Sequence, residues 1–264
     1  EVYNNYIPSN NDIVYNDYFT ENTMRFDFHH SGDSKNEMYH FDRVIREGMW
    51  AGSKISLINP FNYGEQMFRI IDNATGNVIY KNNYCTLFNE WQTTPEATLT
   101  NRSFPESVIF PEPKANFIIE FYARNKVSKI WEKKYTQTVN VKSHDIAPRK
   151  KQCENYDIHI GGDIAHSLDI VLLPDGFTEE DKDKFIAACR MWSDALFKYE
   201  PFTQNKHRIN IRAVWKASNE KGIDKPGIGK WVDNLLDTRF YTFDSERYQM
   251  TEEFQKVRDI ASSV

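Results

Sequence analysis

The sequence is poor in cysteine and shows no pattern among the cysteines it has. Cys85, Cys153 and Cys189 are scattered over 264 residues, without a C-x-x-C pair or a dense disulfide framework. Their odd number leaves at least one thiol free or available for an intermolecular bridge. We expect buried or unpaired structural thiols, because a free cysteine usually behaves as a small hydrophobe.

The chain also lacks an excess of basic charge and any long apolar run. Its 33 basic and 38 acidic side chains are well mixed and give a formal net charge of -5, which gives no basic face for nucleic-acid binding. No apolar run approaches the roughly 20 residues that span a bilayer, so we expect no membrane span. Hydrophobic residues still make up 40% of the chain, enough for one large or two modest cores.

The sequence predicts a series of short strands from residue 23 to about 141. Met24, Phe26 and Phe28 alternate with polar residues, and the run 116–124 has the same period of two. The segments 67–71 and 78–80 flank a Gly/Asn turn that suits a hairpin, and only 41–47 has any helical character. We predict an antiparallel β-sandwich over 23–145, preceded by an arm or linker over 1–22.

A polar, basic stretch that contains Pro148 then separates this region from a strand–helix–strand pattern. The apolar run 167–173 is typical of a strand covered on both faces, and the run 178–181 resembles a capping box. One helical stripe follows, formed by Phe185, Cys189, Trp192 and Leu196, and 208–215 is again a strand. These elements predict the start of an α/β domain over 146–264, and therefore an α+β protein of two domains.

The sequence offers no catalytic constellation. The zinc-protease motif H-E-x-x-H, which places two metal ligands and a general base on one helix, does not occur among its seven histidines. His159 and His166, with Asp163 between them, are weak evidence for a metal, and turn or surface roles are favoured. The GIGK run at 227–230 lacks the first glycine and the final hydroxyl of a phosphate loop, so we expect a surface loop. We assign no catalytic, cofactor-binding or metal-binding residue.

Two further groups of residues leave alternatives open. The first follows the 208–215 strand, where turn-forming and capping roles are favoured over functional ones; it comprises Ser218, Asp224, Asp237 and Thr238. The second is a set of aromatics that form either a carbohydrate platform or, as is more frequent at this density, core packing; it comprises Tyr80, Tyr84, Phe88 and Trp91. The runs that begin at Asn73 and Asn101 fit the N-glycosylation acceptor pattern.

Several segments also keep a joint order that is more specific than any of them alone. In the second domain they are DIVLLPDGFT (169–178), EPF (200–202), RINI (208–211), 218–224, 237–238 and 243–248; in the first they are 24–33, WAGS (50–53), NPFNYG (59–64) and FNEWQTT (88–94). Over roughly residues 23–260 this order resembles the IgA-peptidase family of secreted zinc metallopeptidases, with its N-terminal module and the beginning of its peptidase domain.

The resemblance implies hydrolysis of a protein or peptide substrate by a zinc-bound water. It also implies a secreted or cell-envelope location, with a gut bacterium as source. In this family the H-E-x-x-H helix lies downstream of the matched segments, so 146–264 is expected to be an incomplete zincin-like domain. Zinc is then expected for the complete enzyme and not for this chain, which we expect to be an inactive N-terminal portion.

One expectation follows from that view. The apolar residues Ile170, Leu172 and Trp192 need partners, which dimer contacts (a homo-oligomer) or the remainder of the protein would supply. The rival hypothesis is a non-catalytic binding or structural module of the cell envelope that uses the aromatic-rich sandwich as its working surface.

Overall fold

The computed structural model describes residues 12–264, and the chain divides into two compact units, one that ends at Pro148 and one that begins at Arg149. The first unit contains β1 (Phe19–Gly32), β2 (Glu37–Met49), β3 (Gln66–Asp72), β4 (Val78–Tyr84), β5 (Arg102–Pro113), β6 (Phe117–Arg124), β7 (Trp131–Val139) and β8 (Ala147–Pro148). It also contains the short helices α1 (Tyr15–Tyr18) and α2 (Leu87–Trp91) and a 3-10 turn at Glu96–Thr98.

These strands form two four-stranded sheets, in the orders β5-β1-β2-β8 and β4-β3-β6-β7. Every pairing is antiparallel except that of β2 with the short β8. Alternation along β1 buries Phe26 and Phe28, whose ring centroids lie 5.7 and 4.7 Å from that of Phe121 on β6. Burial of each such ring stabilises the fold by about 2 kcal/mol. The two sheets therefore face each other across an aromatic core, and the predicted sandwich is confirmed.

The turn that joins β3 to β4 is the predicted Gly/Asn turn, and the two strands form the predicted hairpin. The Asp72 carboxylate accepts hydrogen bonds from the Thr75 backbone N–H at 2.8 Å and from the Thr75 hydroxyl at 2.7 Å. Gly76 adopts a left-handed φ of 73°, a conformation that glycine takes without steric cost.

Two parts of the first unit differ from the sequence-based expectation. The segment 41–47 is not helical but lies within β2, because its backbone pairs with β1 along most of its length. Residues 12–22 belong to the described part of the expected arm, yet Ile13, Tyr15 and Phe19 are buried in the sandwich core. Residues 1–11 of that arm lie outside the described residues.

The second unit contains β9 (Glu154–Ile160), β10 (Leu168–Leu172), β11 (Ile209–Trp215), α3 (Lys182–Leu196) and α4 (Phe254–Ala261). Its 3-10 turns are Ile164–His166, Glu179–Asp181, Lys206–Arg208, Pro226–Ile228 and Thr242–Asp244. The sheet has the order β10-β11-β9, with β10 parallel and β9 antiparallel to β11. Together the two units confirm the α+β, two-domain class.

The start of α3 confirms the predicted capping box. The Asp181 carboxylate accepts hydrogen bonds from the Thr178 hydroxyl at 3.1 Å and from the Thr178 backbone N–H at 3.4 Å. Of the helical stripe, Phe185 and Cys189 are buried beneath α3. Trp192 remains 42% exposed, so the residues described here cover only part of the stripe.

The prediction of a strand covered on both faces at 167–173 is wrong for the structure described. None of the residues of β10 is buried, and Leu168 is 53% exposed. An apolar run is typical of a strand covered on both faces, but the run does not itself supply the elements that would cover them.

A second core holds the C-terminal helix against the sheet. Cys153, Val214, Leu235, Leu236 and Ile260 form one buried cluster. The Arg149 guanidinium donates to the Val264 carbonyl at 2.9 Å, and the Asn155 amide donates to the Ser263 carbonyl at 2.7 Å. These bonds fix the segment that follows α4.

The three cysteines are all free, as expected from their spacing. Cys153 and Cys189 are buried, and burial raises the pKa of the Cys189 thiol to about 11. Cys85, which directly follows β4, is exposed.

None of the helices within residues 12–264 combines the length and the apolar character that crossing a membrane requires.

A buried polar group at His30 ties the two sheets of the sandwich together. Its Nε2 lies 3.1 Å from Glu37 Oε2 and its Nδ1 lies 3.3 Å from Glu106 Oε1. The side-chain amide of Gln66, on the opposite sheet, donates to the same Glu37 oxygen at 3.1 Å. Burial lowers the pKa of His30, but the hydrogen bonds and charges of the two carboxylates outweigh it, so the pKa lies above its usual value. The folded state therefore favours the charged imidazolium.

We predict that His30→Gln lowers the free energy of unfolding by about 3 kcal/mol at pH 6, because it removes the buried cation that hydrogen-bonds to both Glu37 and Glu106. Because the pKa of His30 is raised on folding, its contribution is fully present below about pH 6.5, the unfolded pKa, and is lost as the pH rises through the folded pKa. Thermal unfolding between pH 6 and 9 measures this. The matched control is His40→Gln on β2, which is exposed; equal pH slopes in wild type and His30→Gln would contradict the assignment.

Candidate functional site

The second unit gathers its polar loop residues at one edge of the sheet. The parallel strands β10 and β11 end at Leu172 and Trp215, so the loops that follow them meet at the same edge. In α/β units the loops beyond the carboxyl ends of parallel strands are the usual place for binding and catalytic groups.

The carboxylate of Asp175 fixes the later of these loops onto the turn after β10. One of its oxygens accepts a hydrogen bond from the Leu236 backbone N–H at 2.9 Å, and the other accepts one from the Thr238 hydroxyl. Burial is the largest influence on the pKa of Asp175 and raises it above its usual value, against the opposing effect of these hydrogen bonds. Both carboxylate oxygens therefore bind the loop that contains Leu236 and Thr238.

Ser218 connects the same two loops by its hydroxyl. Its Oγ accepts hydrogen bonds from the Gly176 and Leu235 backbone N–H groups, both at 2.9 Å. Gly176 has a φ of 68°, and a Cβ there would lie 2.4 Å from the Gly222 carbonyl oxygen. Only glycine fits this close approach.

The four loop residues singled out in the sequence therefore do not converge on one reactive centre. Ser218 and Thr238 lie at the Asp175 turn. Asp224 instead accepts a hydrogen bond from the Val232 backbone N–H at 2.8 Å, and Asp237 pairs with Lys256 at 2.6 Å. Each of these contacts holds a loop or a surface. The one hydroxyl–carboxylate pair among them, Thr238 with Asp175, fixes the later loop to the turn after β10 together with the Leu236 N–H.

The histidines do not form a metal site. His159 Nε2 lies 3.0 Å from the Lys206 carbonyl oxygen, and its ring packs against Phe197. His166 lies 3.5 Å from Asp163 on the surface. Within the described part of the chain no group of three or more His, Cys, Asp or Glu side chains is arranged to hold a metal ion. The described residues do not fit zinc.

A pocket of about 600 Å³ lies in the loop layer of this unit, a size in the range of ligand sites. We call it the 225/247 pocket; its lining residues are Lys225, Gly227, Ile228, Phe240, Tyr241, Ser245, Glu246 and Arg247. One wall is the turn 225–230, closed by a hydrogen bond from the Lys225 backbone N–H to the Lys230 carbonyl at 2.8 Å. The GIGK run lies in this turn, and the other wall is the loop 240–247.

The loop wall has an unusual backbone. Tyr241, Phe243 and Asp244 have φ values of 61°, 54° and 61°, in the left-handed region that non-glycine residues seldom adopt. Each such residue costs about 1–3 kcal/mol, and residues of this kind cluster at functional sites. Hydrogen bonds from Phe240 N–H to the Asp224 carbonyl (3.0 Å) and from Thr242 N–H to the Tyr248 carbonyl (3.2 Å) hold the conformation.

The two walls are also in direct contact. A Cβ at Gly227 would lie 2.4 Å from the Tyr241 hydroxyl oxygen, so the Tyr241 ring abuts the backbone of the turn. Sequence reasoning missed this pocket. The glycines of the GIGK run marked the turn, but Tyr and Phe carry no local signal for left-handed backbone.

Comparison with protein families accounts for both units in order. The family model described as Peptidase M64 N-terminus matches residues 14–136, and the model described as IgA Peptidase M64 matches residues 157–264. The fold and these matches define a peptidase with an N-terminal sandwich domain. The chain belongs to the IgA peptidase family, M64, which confirms the resemblance noted in the sequence. No curated protein matches the chain.

We predict that Asp175→Ala loosens the loop layer and lowers the free energy of unfolding of the second unit by about 2 kcal/mol, because two hydrogen-bond donors lose a half-buried acceptor. Hydrogen exchange at the Leu236 amide should also become faster, because this amide loses its hydrogen-bond acceptor. Asp194→Ala, at an exposed position of α3, is the control and should change neither quantity. Unchanged exchange at Leu236 in Asp175→Ala would contradict this role.

Proposed function

We propose that this chain is the N-terminal portion of a secreted or cell-envelope zinc metallopeptidase that hydrolyses peptide bonds in a protein or peptide substrate. The observation that carries the proposal is the match of the IgA Peptidase M64 model to residues 157–264, with the sandwich domain matched ahead of it. The zinc motif does not occur in these 264 residues, so the proposal assigns the metal ligands to sequence outside them. When bound, zinc would supply an activated water for the hydrolysis.

In this proposal the second unit contributes substrate-binding loops. Its loop layer is held by Asp175 and Ser218, and it carries the 225/247 pocket. Binding of substrate by such preformed loops lowers the ordering cost of association. The location outside the cytoplasm rests on the family resemblance alone.

The test is the sequence of the source gene downstream of the Val264 codon. We expect it to continue in frame into H-E-x-x-H. The longer product should then contain one zinc per chain and hydrolyse fluorescent casein, and replacement of the motif Glu by Gln should abolish hydrolysis while leaving the zinc bound. The 264-residue chain is the matched control and should do neither. A continuation without zinc ligands ends the enzyme proposal.

A second candidate function is a non-catalytic binding module, and the aromatics at positions 80–91 do not provide its surface. Of the two alternatives left open for the aromatics at positions 80–91, the favoured core packing is confirmed and the carbohydrate platform is wrong, because Tyr80, Phe88 and Trp91 are buried in the sandwich. Phe88 and Trp91 both pack against Phe104, at ring-centroid distances of 6.0 and 5.8 Å. The hydroxyl of Tyr84 is also buried, so this set presents no binding surface.

A different pair of aromatics favours the binding module. Phe61 and Tyr63 are 67% and 76% exposed, and their rings are nearly parallel, with an interplanar angle of 11° and centroids 5.9 Å apart. Asn62 between them has a left-handed φ of 54°, and it accepts hydrogen bonds from the Trp131 indole at 3.0 Å and from the Arg124 guanidinium. Two exposed ring faces on a fixed loop suit stacking against sugar rings.

We predict that, if the sandwich acts in this way, replacing both Phe61 and Tyr63 by Ala weakens carbohydrate binding by about tenfold. Affinity electrophoresis in gels that contain hydroxyethylcellulose, laminarin or xylan measures it. Leu99→Ala is the control, because Leu99 is an exposed apolar residue elsewhere in the same unit. If none of the three polysaccharides retards the wild-type chain, or if the double variant is retarded equally, the carbohydrate hypothesis fails.

A further inference from the structure

We infer that the 225/247 pocket binds an acidic segment of the polypeptide substrate, with a carboxylate between Lys225 and Arg247 and an apolar side chain beside it. The identification of the ligand as a polypeptide rests on the proposed function. The charge preference rests on the pocket itself.

Two cations in the pocket lining have no acidic partner among the described residues. Across residues 12–264 neither Lys225 nor Arg247 forms an ion pair, and the one acid that lines the pocket, Glu246, forms none either. Two positive groups and one negative group leave the lining with a net positive charge. A guanidinium binds a carboxylate through two parallel hydrogen bonds, which makes Arg247 the natural anchor.

The apolar lining argues for a polypeptide rather than a small free anion. Ile228, Phe240 and Tyr241 line the pocket, and Ile228 is largely exposed. A free inorganic anion would gain nothing from these surfaces, whereas a peptide that places an aliphatic residue next to Glu or Asp would cover them.

The backbone argues that the pocket is built before the ligand arrives. Its loop wall keeps Tyr241 in the left-handed region, and the ring of Tyr241 lies against Gly227 in the opposite wall. The conformational cost of this arrangement is met during folding, so little further ordering is needed on binding. A pocket with one strained wall and one cation on each wall that forms no ion pair within residues 12–264 has the features expected of a binding site.

The experiment measures binding to the 264-residue chain and needs neither zinc nor hydrolysis. The probes are three fluorescein-labelled peptides of equal length, in which Leu alternates with Glu, Gln or Lys. Fluorescence anisotropy should show the Glu peptide bound at least about tenfold more tightly than the Gln peptide, and the Lys peptide bound most weakly. Raising NaCl from about 50 to 500 mM should remove most of the preference, because exposed charges are screened.

The deciding variants keep the fold and change the charge. Lys225 and Arg247 are both exposed, so replacing both by Ala should leave thermal unfolding unchanged while weakening the Glu peptide about tenfold. Replacing both by Glu should transfer the preference to the Lys peptide. Lys198→Ala, which removes an exposed lysine elsewhere in the same unit, is the matched control and should bind as wild type does.

Two results overturn the inference: equal affinity for the Glu and Gln peptides, or a Lys225→Ala/Arg247→Ala variant that binds like wild type. Neither bears on the proposed activity, which fails instead when the gene beyond Val264 lacks zinc ligands. The two failures are therefore separate observations.

Discussion

The arrangement of the second unit, the peptidase unit (residues 149–264), depends on the hydrogen bonds that the carboxylate of Asp175 accepts. It lies in the turn where β10 leads toward α3, and it binds the backbone of Leu236 and the hydroxyl of Thr238, some sixty residues further along the chain. A short strand–turn–helix unit thereby positions a long loop that has little regular structure of its own. The 225/247 pocket belongs to that loop layer, so its shape depends on a half-buried acid that does not line it.

The two units reach rigidity by different means. In the sandwich, rings from both sheets interlock around Phe121, and the polar group at His30 adds directional bonds between the sheets. In the peptidase unit the three-stranded sheet is small, and side-chain acceptors that hold backbone N–H groups take over much of the ordering. Buried acceptors used in this way are costly to remove, because each donor they satisfy would lose its partner.

Much of the fold could be predicted because its signals are local. Period-two alternation at Met24, Phe26 and Phe28 and the Thr178 capping box each report their own backbone state. The helical character expected for segment 41–47 was wrong because its pairing with β1 decides its conformation, and that pairing is not visible in the residues of the segment itself. The exposure of Tyr80 and Trp91 could not be deduced for a similar reason, since it depends on the packing around them. The pocket was beyond sequence reasoning, because tertiary hydrogen bonds impose a conformation that Tyr241 and Phe243 would not choose alone.

The single exposed thiol has a practical consequence. Cys153 and Cys189 are buried, so electrophiles reach both thiols slowly, and burial also raises the pKa of the Cys189 thiol. A maleimide fluorophore would therefore attach selectively at Cys85, the residue after Tyr84, whose carbonyl oxygen would lie 2.6 Å from a Cβ placed at Gly64. Gly64 directly follows Tyr63, so the dye would sit near the exposed aromatic pair. The native chain thus carries its own attachment point for an optical reporter of that surface, without engineered cysteines.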